Sequence, residues 1–330
     1  MVIIDLHKMR RFLLFIFFWG VVLFSLYWFL LGPVDNSKEI KIFTVPQYQA
    51  GFDVIEELKD KRFIKNANAF EFLMNVIAPG KKIESGGFRL SGSMSTQDVL
   101  YKITSRPDLM WVTFGGCLRK EQVGEILADA LKWSDNDLNK WNTVYTNSKP
   151  EYKEGVYYPD TYLLPIDESG EQIASRLISR FNEKFAPLAD KFIAKNIKWT
   201  TGLKIASLIA REAAGKEDMR LISGIIWNRL DIGMPLQIDA TMQYTQGKDK
   251  SGRWWGSIDI KEKQNDSSYN SYMYKGLPPT PICSPNIEYI EAVLNPEETP
   301  CLFYLHDGGK QIHCSKTYED HVENIKKYLN

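Results

Sequence analysis

The sequence predicts an α+β fold: a single N-terminal transmembrane helix, one or two small α+β modules, then a larger mixed α/β domain. Three observations carry this. Residues 12–31 (FLLFIFFWGVVLFSLYWFLL) contain no charged side chain. Between about residues 40 and 150, short strand-like and helix-like patterns alternate. From Glu154 onward, long stretches of 3.6-residue apolar periodicity take over. The expected organisation is a cytoplasmic N-terminus at 1–11, a membrane span at 12–31, an extracytoplasmic part at 32–150 and the larger mixed domain at 151–330.

The apolar run would reach about 30 Å as a helix, the thickness of a bilayer core. Lys8, Arg10 and Arg11 precede it, and Asp35, Lys38 and Glu39 follow. That asymmetry sets the N-terminus in the cytoplasm and the rest of the chain outside the cytoplasmic (inner) membrane, in a single pass. The run is too long for a signal peptide, and Gly32-Pro33 makes a poor cleavage site, so an uncleaved anchor is expected.

Residues 33–40 read as a linker and 40–45 as a strand. Helical patterns at 53–59 and 67–77 end at Pro79-Gly80, and 87–90 is a second strand. Ser95 caps a helix over 95–104, with Asp98 in its first turn. A strand at 111–114 and a helix at 120–131 repeat the pattern. Beyond Glu154, helices are expected at 171–193, 203–214, 218–230 and 287–294. A loop rich in Gly, Trp, Tyr and Asn covers 247–281. A hairpin turns at Asp307-Gly308-Gly309 before a last helix over 318–329.

Composition narrows the function. The 41 basic and 41 acidic residues balance, and no basic block points to nucleic acid. There is no GxSxG elbow for a serine hydrolase. Cys117, Cys283, Cys301 and Cys314 lack the spacing of a zinc site, leaving free buried thiols or disulfides of undetermined pairing. Neither metal nor cofactor is expected. Trp254 and Trp255 would either stack on a sugar or pack as satellite core.

Glu212 is the residue out of place. In LKIASLIAREAA (203–214) it follows Ile205, Leu208 and Ile209 by seven, four and three residues, so it shares their apolar face. Lys204, Ser207 and Arg211 form the polar stripe beside it. Burial of a carboxylate raises its pKa, and a carboxyl protonated near neutral pH can act as a general acid. The bland alternative is a structural pair with Arg229, which lies on an apolar face with Ile222, Ile225 and Ile226.

Five segments occur in order: EGVYYPDTY (154–162), ASLIAREA (206–213), NRLDIGMPLQIDATMQY (228–244), SSYNSYMYKGLPPTPI (267–282) and HCSKTYEDH (313–321). Together they resemble the YceG-like family of membrane-bound endolytic murein transglycosylases. Ala240, Ser268 and Thr280 depart from its usual residues, as does FGGCLRKEQV (114–123), which lacks an acidic-Gly turn.

The resemblance implies a LysM-like module before the catalytic domain, peptidoglycan strands as substrate, and work beside cell-wall synthases. It implies cleavage between N-acetylmuramic acid and N-acetylglucosamine to leave 1,6-anhydro ends, terminating or trimming nascent strands. By its place in ASLIAREA, Glu212 would be the catalytic acid and then base. Asn228, Arg229, Gln237, Asp239, Tyr269, Asn270 and Tyr272 would shape the sugar cleft. His313 and His321 would hold the hairpin and last helix. Two other readings stay open: a muramidase-type hydrolase using Glu212 with Asp239, and a glycan-binding scaffold without catalysis.

Overall fold

The computed structural model describes residues 6–48, 53–259 and 263–329. The first five residues of the expected cytoplasmic segment, and part of the 247–281 loop, lie outside that range. Helix α1 (Leu6–Leu31) presents its large apolar side chains outward along nearly its whole length, as a helix without a polar face must. It meets the length and composition of a membrane span over Met9–Leu31.

The chain divides into two compact units, Met1–Trp111 with Tyr162–Asp167, and Val112–Thr161 with Glu168–Asn330. Residues 112–150, grouped by sequence texture with the first part, thus pack with the second. The reason is Trp141, which is fully buried and packs on Tyr157 with ring centroids 5.2 Å apart.

The first unit alternates β1 (Lys41–Val45), α2 (Val54–Asp60), α3 (Ala67–Ile77), β2 (Gly86–Leu90) and α4 (Thr96–Ile103). Strands β1 and β2 pair antiparallel with Phe43 opposite Phe88, and both rings are fully buried. Val45, Leu58, Ile64, Phe70, Leu100 and Ile103 are among the other residues of this core. Ser95 caps α4 as expected, and Asp98 completes a reciprocal cap by accepting from the Ser95 amide at 3.0 Å. Strands β3 (Leu109–Thr113) and β4 (Thr161–Pro165) extend the sheet in the order β1-β2-β3-β4. β4 was not expected from the sequence.

The second unit contains α5 (Lys120–Leu131), α6 (Asp135–Thr143), α7 (Gly170–Ala194), α8 (Trp199–Glu212), α9 (Met219–Asp231), α10 (Asp239–Gln246) and α11 (Ile287–Leu294). The hairpin β5 (Phe303–His306) and β6 (Ile312–Ser315) and the helix α12 (Tyr318–Tyr328) follow. Trp141 is fully buried between Gly124 and Tyr157, its indole N–H donating to the Lys120 carbonyl at 2.8 Å. Helix α8 sits at the centre, against α7, α9, α10 and α11. Its face of Ile205, Ala206, Leu208 and Ile209 is wholly buried.

Ser207 is also fully buried, not part of an exposed polar stripe. Its hydroxyl donates to the Lys204 carbonyl at 2.7 Å and accepts from the Ile282 amide at 3.1 Å. This dual role lets a polar residue sit inside the packing. The four cysteines form two disulfides, Cys117–Cys283 and Cys301–Cys314.

Candidate functional site

Helix α8 ends at Glu212 itself, two residues sooner than its apolar periodicity suggested. The carboxylate therefore stands at the edge of the core, part-buried, facing a cavity of ≈ 340 Å³. Arg229, Gln237, Asp239, Tyr272, Tyr304 and His321 are among the other residues that line it. Burial raises the pKa of Glu212, and the charge of Asp239 raises it further. The negative end of α8 acts in the same direction. A hydrogen bond from Tyr304, whose hydroxyl donates to Glu212 Oε2 at 2.6 Å, partly opposes these effects.

Arg229 does not neutralise Glu212 by a direct pair. Its Nε donates to the Leu302 carbonyl at 2.6 Å and one Nη to the Leu236 carbonyl at 2.6 Å and the Pro235 carbonyl at 3.3 Å. The guanidinium also lies over the Phe303 ring, 5.2 Å from its centroid. A planar fork suits three carbonyls that converge from two loops. Arg229 thereby ties both walls of the cavity to α9 and leaves the carboxyl free of a tight ion pair.

Asp239 opens α10 and is held by Lys263 Nζ at 3.0 Å and by the Tyr272 hydroxyl. Lys263 also donates to the Tyr272 oxygen at 2.8 Å and lies over its ring. Gln237 has a left-handed backbone, φ 52°, and its amide donates to the Ser271 carbonyl at 2.9 Å. Ser271 in turn accepts from the Ile238 amide at 2.9 Å. These bonds fix the Asp239 and Tyr272 segments to each other.

Three of the expected cleft residues lie elsewhere. Asn228 donates to the Thr299 and Cys301 carbonyls at 2.7 and 3.1 Å, bracing the lead into β5. Asn270 is fully buried and donates to the Lys263 and Asn265 carbonyls, closing its own loop. Tyr269 bonds Thr280 and packs on Tyr244, with ring centroids 5.0 Å apart. All three support the walls and do not line the cavity.

The aromatic pair Trp254 and Trp255 packs as satellite structure. Trp254 donates to Glu125 at 2.9 Å and Trp255 to Gln122 at 2.8 Å, while Arg119 and Arg211 cover their faces. His313 bonds Asp307 at 2.9 Å and stacks on Tyr328, so it braces the hairpin against α12. His321 stacks on Phe303 and also borders the cavity. Tyr304 was missed by sequence reasoning. Strand alternation in FYLH shows that it opposes Leu305 in facing, but only tertiary packing brings β5 to Glu212.

Residues 43–327 match the YceG-like family over most of the chain. The chain belongs to the YceG-like family. It is similar to the endolytic murein transglycosylase of Bacillus subtilis (strain 168), 28% identical over 326 residues, 91% of this chain and 88% of that protein. The endolytic murein transglycosylase of Streptococcus pneumoniae serotype 2 (strain D39 / NCTC 7466) is 25% identical, across 91% of this chain and 60% of that one. A crystal structure of a yceG-like protein from Listeria monocytogenes superposes with a TM-score of 0.60 at 26% identity, covering 87% of this chain and all of the other.

Proposed function

We propose that this YceG-like protein is a membrane-anchored endolytic lytic transglycosylase of peptidoglycan. The observation that carries the reading is a carboxyl of raised pKa, Glu212, bordering a polar cavity without a neutralising ion pair among the described residues. In the first step, protonated Glu212 gives its proton to the oxygen linking N-acetylmuramic acid C1 to N-acetylglucosamine, and the C1–O bond breaks. In the second, the ionised carboxylate takes the proton of the muramoyl C6 hydroxyl as that oxygen bonds to C1. The enzyme returns protonated, and the strand ends in a 1,6-anhydro ring. An intramolecular nucleophile needs no second carboxylate to position water.

Arg229, Gln237, Asp239 and Tyr272 form the sugar-facing wall in this reading, with Asn228, Tyr269 and Asn270 behind it. The strand–helix–helix–strand run from β1 to β2 serves as the LysM-like glycan-binding module. Helix α1 anchors the chain with its catalytic unit outside the cytoplasm, where nascent strands and their synthases are found.

A second reading rests on Asp239, which borders the same cavity and would direct water as in two-carboxylate glycosidases. Digestion in water labelled with heavy oxygen separates the two. The transglycosylase leaves unlabelled anhydro ends. A hydrolase places label at muramoyl C1, and that result would replace the proposal with the second reading.

A further inference from the structure

Glu212 has one carboxylate oxygen already engaged. Tyr304 donates to Oε2 at 2.6 Å, and its own surroundings keep the phenol protonated: burial and the nearby Glu212 charge push its pKa well up. The donor is thus constant while the carboxyl titrates. Its strand is held from several sides. Tyr304 pairs directly across the hairpin with Cys314, which is bonded to Cys301, two residues before the strand begins. Arg229 and Asn228 grip the Leu302 and Cys301 carbonyls just before it. Two residues further on, and so on the same side of the strand, His306 bonds Asp218 at 2.7 Å. Asp218 accepts from the Ala214 and Gly215 amides at 2.9 and 3.2 Å. One strand therefore fixes both the carboxyl of Glu212 and the loop that follows it.

The geometry points to Tyr304 as a positioning residue for Glu212: it occupies Oε2, leaves Oε1 to carry the transferred proton, and sets the pH range over which the carboxyl works. This rests on the reaction proposed above. In the first step Oε1 holds the proton while Oε2 accepts from Tyr304. In the second the same bond stabilises the carboxylate that receives the C6 proton. The Cys301–Cys314 clamp makes this arrangement part of the oxidised fold.

The charged and titratable groups facing Glu212 are Asp239 from α10, Arg211 on its own helix, Arg229 from α9, and Tyr304 and His306 from β5. Tyr272 and His321 share the cavity. Asp239 and burial favour the protonated acid, while Tyr304, His306 and Arg211 favour the ionised form. Tyr304→Phe removes one hydroxyl and one bond that favours ionisation, so the pKa of Glu212 rises. Loss of the protonated acid then occurs at higher pH.

The test is the pH dependence of strand cleavage by the full chain in lipid nanodiscs, for wild type, Tyr304→Phe, Cys301→Ser/Cys314→Ser and Glu212→Gln. Tyr304→Phe is expected to move the alkaline limb upward and to lower kcat about tenfold with KM little changed, a modest part of what general acid–base catalysis supplies. The double cysteine variant should move the limb in the same direction. An unmoved limb in folded, active Tyr304→Phe overturns the assignment. So does a loss of activity at every pH without a shift, which a merely structural tyrosine would give. Wild type and Glu212→Gln with equal or no activity would instead overturn the reaction itself, which keeps the two failures apart.

Discussion

Removing the Arg229 guanidinium should destabilise the second unit and disable the cavity together. The residue is 8% exposed, and its three acceptors are main-chain carbonyls of Leu302, Leu236 and Pro235. Hydrogen bonds from a charged donor contribute about 1.5–3 kcal/mol each. Taking the two short bonds at the low end, and about 0.5–1 kcal/mol for the contact over Phe303, gives about 4 kcal/mol for Arg229→Ala. Domain stabilities are about 5–15 kcal/mol, so that is a large fraction. With a urea m-value of about 2–3 kcal/mol/M, the midpoint should fall by about 1–2 M. Urea unfolding followed by tryptophan fluorescence measures it, with strand cleavage assayed on the same preparations. Arg229→Lys should recover only part of the loss, because an ammonium cannot span three carbonyls in one plane. A midpoint within about 0.3 M of wild type in Arg229→Ala, with normal cleavage, would refute the reasoning that this side chain ties the walls.

Asp239→Asn removes a charge that raises the Glu212 pKa, so the alkaline limb of the pH–rate profile should move down, opposite to Tyr304→Phe; an upward shift contradicts the electrostatics. Burial pushes Glu154 up to about 8 from an ordinary 4.5, so the folded chain holds a proton that the unfolded chain releases. Stability should therefore decline as pH rises between those values, and Glu154→Gln should flatten the decline in urea midpoints taken at pH 5 and pH 8. The disulfides differ in the loops they close, with separations of 166 and 13 residues. By loop entropy, Cys117→Ser/Cys283→Ser should cost more than the roughly 3 kcal/mol expected for the Cys301–Cys314 pair, and paired thermal melts would show the order.

Local patterns carried most of the helices into view. The Ser95 cap, the apolar stripe of α8 and the Asp307 turn each depend on neighbours in sequence, and each formed where those neighbours dictate. Other elements depend on distant partners. Strand β4 has little pattern of its own and forms by joining the sheet edge. Helix α10 is short and weakly amphipathic, and bonds from the Gln237 and Ile238 amides to Ser271 secure its start. At the site, periodicity marked Glu212 because a carboxylate interrupts an apolar face. Tyr304 gave no such signal, since a tyrosine in a strand is ordinary until folding sets it against the acid. Asn228, Tyr269 and Asn270 share their motifs with cavity residues but point into structural bonds. Adjacency in a motif does not determine which side of a loop a side chain takes.

The most direct measurement is mass spectrometry of peptidoglycan strands incubated with the full chain in lipid, wild type beside Glu212→Gln. A transglycosylase acting through Glu212 leaves 1,6-anhydro-muramoyl ends with wild type and none with Glu212→Gln. Anhydro ends of equal abundance from both proteins, or reducing ends from wild type, would contradict it.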